Sequence, residues 1–394
     1  MIRSHSLRTR VLLHSVGVLL LAACSAPSVT AQPGAPIQSA VHRFTVSRVV
    51  DGLQFPWSIA FLPNGDMLVT EKPGRLRRVA NGQLLAEPIS GTPAVWYRGQ
   101  GGLLEVAPHP KFASNRLLYI SYSKPSADGA TATTALIRGR LQGNALVDVQ
   151  ELFVADAYTR AGQHFGAKIA FDSSGYLYMS VGDRGAPPSG NLEQHPAQNP
   201  ANHQGTILRL HDDGRVPADN PFVGQEGKRA EIWSYGHRNP QGLVVHPQTQ
   251  QVWDAEHGPR GGDELNAVQP GKNYGWPVIT YGVNYGIGTK IGEGTSKPGM
   301  EQPLHVWVPS IAPSGMAFYT GDKFPRWKGN LLVGALRDEM LVRLELDGEK
   351  VVREERMIKG QIGRIRDVRV GPDGFVYLLT DEQEGMVVRL EPSQ

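Results

Sequence analysis

Four groups of side chains have types and spacings suited to chemistry. His164 stands in Gly162-Gln163-His164-Phe165-Gly166, just ahead of an apolar strand pattern. An imidazole flanked by glycines at a strand mouth can serve as a general base near neutral pH. Arg238 and Asn239 lie in YGHRNPQG, residues 235–242, and offer fixed donors to an anionic oxygen. Asp263 and Glu264 follow two glycines, with Gly258-Pro259 before them and Tyr274 ending the run. Carboxylates on a loop with free backbone carbonyls suit calcium, a hard cation that takes oxygen ligands, although the spacing is not that of an EF-hand. Arg364 and Arg366 alternate ahead of Asp367, which sends both to one face of a strand. Two cations side by side repel unless an anion or carboxylates answer them. Arg337-Asp338 occupies the comparable end of the preceding hairpin, so these residues together suggest a pocket for a polycarboxylate. Each group also admits a structural reading: one of 12 histidines on a surface, an Asn-Pro turn, an acidic loop in water, a pair of edge-strand charges.

The elements that must position these groups recur along the chain. An apolar strand, a turn built on Pro, Asp, Asn or Gly, and a second apolar strand appear at 58–70, 102–122, 167–181, 242–255, 315–335 and 367–380. Asn-Gly and Asp-Gly are tight-hairpin residues. Past the N-terminal region no segment longer than about ten residues holds a 3.6-residue apolar period. A lone hairpin cannot bury its apolar face, so six copies argue for radial packing. The expected fold is all-β, a six-bladed β-propeller over residues 42–394 with long loops over one face; a β-sandwich is the alternative. The strand at 44–50 is expected to close the ring against 375–379 and 386–390, which removes the free edges. Two long segments, 182–239 and 257–314, are rich in Gly, Asn, Pro and Trp and poor in strand pattern, as loops that carry a site often are.

Composition sets further bounds. The 394 residues include 46 Gly and 29 Pro, which suits short strands joined by turns. The net charge is only +3, and no long basic block follows residue 10, so nucleic acid is a poor partner. Arg3, Arg8 and Arg10 precede an apolar run from Val11 to Ala23, a signal-peptide pattern too short for a stable membrane span. The run ends in Leu21-Ala22-Ala23-Cys24, which resembles a bacterial lipobox. Residues 1–23 are therefore expected to be a lipoprotein signal, and 24–41 a flexible tether. The protein is expected in the periplasm, lipid-anchored to the outer membrane through Cys24, its only membrane contact. Cleavage after Ala31 would instead leave it soluble in the periplasm or secreted. Cys24 is the sole cysteine, so an intrachain disulfide and Cys-based metal or haem attachment are excluded. There is no P-loop, no G-x-S-x-G, and no G-x-G-x-x-G between a strand and a helix.

Taken in order, the stretches GQGGLLEVAPHP (99–110), YGHRNPQGL (235–243), EHGPRGGDELN (256–266), GKNYGWP (271–277) and GRIRDVRVGPDG (363–374) resemble a known family. They are similar to the glucose/sorbosone dehydrogenases, quinoproteins dependent on pyrroloquinoline quinone (PQQ), and nearer the aldose sugar dehydrogenase branch. The resemblance implies a propeller oxidoreductase that takes hydride from the anomeric carbon of an aldose, gives a lactone, and passes electrons to an external acceptor, a quinone or a cytochrome. It implies His164 as catalytic base and Arg238 as the group that stabilises charge on the quinone oxygen. Gln100, Asn239 and Tyr285 match cofactor contacts, and Arg364 and Arg366 match the cations facing the PQQ carboxylates. Arg337, with Asp338 beside it, falls where the family commonly has Lys. Gly258 and Pro259 match the carbonyls that hold the cofactor's calcium, and Glu264 and Tyr274 match calcium ligands of the aldose branch. A non-catalytic ligand-binding propeller and a calcium-dependent lactonase are the competing readings.

Overall fold

Alternating apolar positions in short strands, broken every few residues by turn residues, produce six small antiparallel sheets. A computed structural model describes residues 35–393; the expected signal segment and Cys24 lie outside them. The first blade holds Pro56–Phe61, Met67–Glu71, Arg75–Ala80 and Gln83–Leu84. The second holds Leu103–Pro108, Leu117–Pro125, Ala132–Gln142 and Ala145–Val154. The third holds Ile169–Phe171, Leu177–Val181, Thr206–Leu210 and Ile232–Tyr235. The fourth holds Pro240–Val245, Val252–Glu256, Asp263–Val268 and His305–Trp307. The fifth holds Pro313–Phe318, Leu331–Ala335, Met340–Asp347 and Lys350–Met357.

The sixth blade joins the two ends of the chain. Ile365–Val370, Val376–Thr380 and Gly385–Pro392 are completed by Arg43–Leu53, which pairs antiparallel with the last strand. Phe44 stands opposite Pro392 and Val50 opposite Val387. The first strand of every blade touches the first strands of both neighbours, so the ring is closed. Each of the six hairpins read in the sequence is the inner strand pair of one blade, and the sandwich alternative falls. Two expectations change. Ile37–Gln38 already pairs with Arg43 and Phe44, so ordered structure reaches into the stretch assigned to the tether. The segments 182–239 and 257–314 carry the outer strands of blades three and four, masked in the sequence by interrupted apolar patterns.

Apolar layers fill the seams between blades. Blades five and six meet through Phe44, Phe324, Trp327 and Leu378, with Phe324 stacked on Trp327 at 4.3 Å between ring centroids. The axis is polar instead. Lys168 Nζ lies 2.8 Å from Glu105 Oε2 and 3.1 Å from Asp367 Oδ1, and Arg369 bonds the same two carboxylates. Two cations and two carboxylates from the inner strands of three blades thus neutralise one another in the channel. The backbone N–H of Ile59 adds a bond to Asp367 at 3.1 Å. Removing one member leaves buried charge uncompensated, which typically costs about 3–5 kcal/mol. Asp367→Ala is expected to lower the melting temperature by an amount matching that scale, read by thermal unfolding; an unchanged melt would show that the axial network carries no stability.

Candidate active site

His164 is set by its loop rather than by a strand. It adopts a positive φ of 54°, and its backbone N–H donates to Gln100 Oε1 at 2.8 Å. Gly182 makes the approach of this loop possible: a Cβ there would stand 2.3 Å from the His164 carbonyl oxygen. Arg184, 1% exposed, holds the same loop by donating to the carbonyls of Ala161 and Gln163 while its guanidinium lies 3.4 Å over the Phe165 ring. The His164 Nδ1 is 2.6 Å from Asp183 Oδ1, and Trp276 Nε1 donates to Asp183 Oδ2 at 2.8 Å. Asp183 therefore fixes the ring and its tautomer, with Nδ1–H donating and Nε2 left with a free lone pair. Burial pushes the His164 pKa below its ordinary value; Asp183 opposes this, while Arg238 and Arg184 add to it. The imidazole is neutral at neutral pH, the form a base requires.

Beside this dyad a cavity of about 270 Å³ opens over the inner strands, lined among others by Trp57, Gln100, Gln241, Arg364, Arg366 and Asp381. Its charge is unbalanced. Arg366 bonds Asp381 Oδ2, Arg364 Nη2 lies 3.5 Å from the same oxygen, and Lys72 Nζ lies 3.3 Å from Asp381 Oδ1. Three cations share one carboxylate. Burial and the neighbouring Arg366 and Arg364 push the Lys72 pKa down against the pull of Asp381. Burial alone would raise the Asp381 pKa, but Arg366, Lys72 and Arg364 together hold it well below the usual carboxylate range. Lys72 and Asp381 escaped the sequence reading. Each follows the second strand of its blade and comes to the axis only when blades one and six meet. His257 also lines the cavity and bonds the Pro313 carbonyl at 2.7 Å; burial pushes it down to about 3, so it stays neutral.

Arg238 begins the fourth blade. Its Nη1 donates to the carbonyls of His257 at 3.0 Å and Gly258 at 2.7 Å, and its guanidinium lies 5.1 Å over Trp276. Asn239 is buried, and its Oδ1 accepts from the Gly166 N–H at 3.2 Å, which ties the fourth blade to the His164 loop. Gly258 lies so close to Gly262 that a Cβ would meet that carbonyl oxygen at 2.2 Å. Asp263 shapes this turn: it accepts from the N–H groups of Gly258, Ile311 and Ala312 and from the Ser310 hydroxyl, within 2.8 Å each. It is a loop builder, with its lone pairs engaged.

His164, Arg238 and Asn239 adjoin the cavity through Phe165, His257 and Gly166 without lining it, and Tyr285, Arg337, Asp338 and Tyr274 do not line it either. Tyr285 is 68% exposed on the loop that packs against the Gly258–Gly262 turn. Arg337 is exposed, and Asp338 pairs with Lys359 at 3.3 Å; only the preceding residue, Leu336, lines the cavity. The left-handed backbone at Asp338 and Glu339 turns the chain away after Leu336. Tyr274 lines a small void with Glu264 and Gly258, but its hydroxyl donates to Ala267 O and accepts from Gln269 N–H.

A family model described as "Glucose / Sorbosone dehydrogenase" matches residues 53–389. The chain belongs to the glucose/sorbosone dehydrogenase family, a family of oxidoreductases. It is 46% identical over 347 residues to the aldose sugar dehydrogenase YliI of Escherichia coli, covering 87% of this chain and 91% of that protein. It is 27% identical to quinoprotein glucose dehydrogenase B of Acinetobacter calcoaceticus over 96% of this chain and 93% of that one. Among solved structures, the apo-form of the soluble E. coli aldose sugar dehydrogenase superposes with a TM-score of 0.84 at 45% identity, covering 89% of this chain and all of that one. The PQQ-bound aldose sugar dehydrogenase of Streptomyces coelicolor gives 0.71 at 28% identity, over 91% of this chain and all of that one.

The charge excess around Asp381 makes a direct prediction for this dehydrogenase fold. Asp381 has a depressed pKa, so its stabilising contribution is complete above the ordinary carboxylate range and is lost as pH falls toward the folded value. Asp381→Ala should destabilise the cofactor-free protein by about 3 kcal/mol, the scale for breaking a buried pair. Citrate, a small tricarboxylate, should recover part of that loss. A melt insensitive to both the substitution and citrate would mean the three cations are independently solvated.

Proposed function

We propose that this protein is a PQQ- and calcium-dependent aldose sugar dehydrogenase. The observation that carries this reading is a neutral, carboxylate-held imidazole beside a cavity where three cations meet one carboxylate. A small ligand with several carboxylates suits that excess. Unpartnered buried donors on Arg238, Asn239 and Arg366 fit a planar group rich in acceptors, and Trp57 offers a flat wall. Lys72, Arg364 and Arg366 would hold the carboxylates, with Gln100 at the side of the base. The carbonyls of Gly258 and Pro259, with Glu264, would hold calcium; oxygen donors on a rigid loop suit a hard cation. When bound, PQQ with its calcium supplies a polarised ortho-quinone that accepts hydride.

The chain's own groups do the rest. His164 Nε2 takes the proton of the anomeric hydroxyl as hydride leaves the sugar's C1, which gives a lactone. Asp183 stabilises the imidazolium that forms and keeps the ring in register, as the carboxylate of a Ser-His-Asp triad does. Arg238, locked onto the His257 and Gly258 carbonyls, presents positive charge where negative charge develops. In this reading the electron acceptor is external, a quinone or a cytochrome, in keeping with a chain that has a single cysteine and no haem-attachment motif. Export to the periplasm with a lipid anchor at Cys24 is part of the same reading, and Cys24→Ser should move the protein from the membrane fraction to the soluble fraction.

Reconstitution with PQQ and calcium should give dye-linked oxidation of aldoses and shift the PQQ absorbance on binding. A lactone hydrolysis that runs without PQQ, or no binding of PQQ, would overturn the reading. His164→Ala should lower turnover by about two to four orders of magnitude. The pH profile gives a second check. Because the His164 pKa is depressed, the rate should hold as pH falls through 6.5 and decline only in more acid solution. Asp183→Asn removes the influence that raises the His164 pKa, so the acid limb should move further down while the plateau drops by about 10²-fold or more. An acid limb that moves upward would remove Asp183 from this role.

A further inference from the structure

The rim of the mouth carries unpaired charge and exposed apolar side chains together. Loops that precede an inner strand or follow a second strand leave the same end of the ring, because the two strands are antiparallel. Five of the ten exposed large apolar side chains among the described residues lie on such loops or on a loop packed against one: Tyr97, Tyr158, Tyr285, Ile287 and Val308. Ile287 is 91% exposed. Scattered singly, such residues need no explanation; gathered on one rim they mark a contact surface.

Arginines accompany them. Arg98 follows Tyr97, and Arg160 lies two residues after Tyr158. Arg260 Nη1 donates to the Gly286 carbonyl at 2.9 Å, between Tyr285 and Ile287 in the chain. All three arginines are exposed, and among the described residues none is paired with a carboxylate. Asp128 stands in the field of Arg160, but its Oδ1 accepts from the Ser126 hydroxyl at 2.6 Å. None of the three lines the cavity, so they stand outside the walls that a sugar or cofactor would touch. Across the mouth, blades five and six carry Glu339, Glu382 and Glu384 beside Arg337. The rim is thus cationic over blades two to four and mixed over blades five and six.

We propose that the rim of blades two to four docks the electron acceptor, a water-soluble one-electron carrier protein with an acidic face. This rests on the quinone reading above. Arg and Tyr are enriched at the energetic centres of interfaces, and complementary charge speeds encounter. The start of the chain favours a soluble partner. Arg43–Leu53 runs toward the mouth, where the Phe55 N–H donates to the Glu382 carbonyl at 2.9 Å, so Ile37 pairs at the far end. An anchor at Cys24 joins that far end and turns the mouth away from the membrane. Oxidation of one aldose to a lactone leaves two electrons and two protons in the site. Two carriers take one electron each in turn, and both protons go to water.

The test uses the holoenzyme with saturating aldose and three acceptors: a small uncharged dye, cytochrome c as a basic protein, and the same cytochrome with its lysines succinylated, which makes it acidic. Wild type should reduce the succinylated form with the lower KM, and the rate should fall as salt screens the charges. Arg98→Glu combined with Arg160→Glu should raise that KM by about tenfold or more at low salt. Ile287→Ser should raise it at low and high salt alike. All variants should reduce the dye as wild type does, which shows the fold and chemistry intact. A KM indifferent to these substitutions and to salt, or no preference for the acidic cytochrome, would overturn the proposal. So would substitutions that change instead the KM for the sugar, the oligomeric state or binding to phosphatidylglycerol vesicles. No dye reduction by wild type would remove the quinone reading itself, and this proposal with it.

Discussion

A blade of four twisted strands buries both faces only when another blade lies on each side, so the ring must close on itself. That constraint governs the rest of the molecule. Closure is achieved by pairing the Arg43–Leu53 strand with the Gly385–Pro392 strand, which leaves the two ends of the chain in one sheet. The six inner strands then converge on the axis. Short loops leaving them are forced together at one mouth, and residues far apart in sequence meet there. Lys72 follows the first blade's second strand and Asp381 the sixth blade's, yet they stand 3.3 Å apart.

Charge is handled differently at two depths of the axis. Deeper, Lys168, Glu105, Asp367 and Arg369 balance, two against two. At the mouth, Lys72, Arg364 and Arg366 outnumber Asp381. The first arrangement is self-sufficient and belongs to stability. The second is incomplete without an anion and belongs to binding. Trp57 neighbours both groups, with Lys168 4.4 Å and Arg366 5.9 Å from its ring centroid.

Sequence alone determined the inner hairpins, the number of blades and the closing strand. These features depend on local alternation and turn chemistry, or on motifs such as YGHRNPQGL that keep their residues adjacent. Arg364 and Arg366 were legible because a period of two puts both on one face. What the sequence withheld was partnership across blades. Asp183 follows His164 by 19 positions and Asp381 follows Lys72 by 309, and no spacing rule joins either pair. The outer strands of blades three and four were hidden for the opposite reason: they are buried between loops and neighbours, so their apolar pattern does not alternate cleanly. Tyr285, between the third and fourth strands of blade four, and Arg337, after the second strand of blade five, are exposed, so loop conformation rather than residue type decides what each side chain reaches. Likewise Asp263 and Asp254 look equivalent as acidic residues. Only packing shows that the first is saturated with donors and the second has none, since hydrogen-bond partners are supplied by whichever blade the closed ring brings alongside.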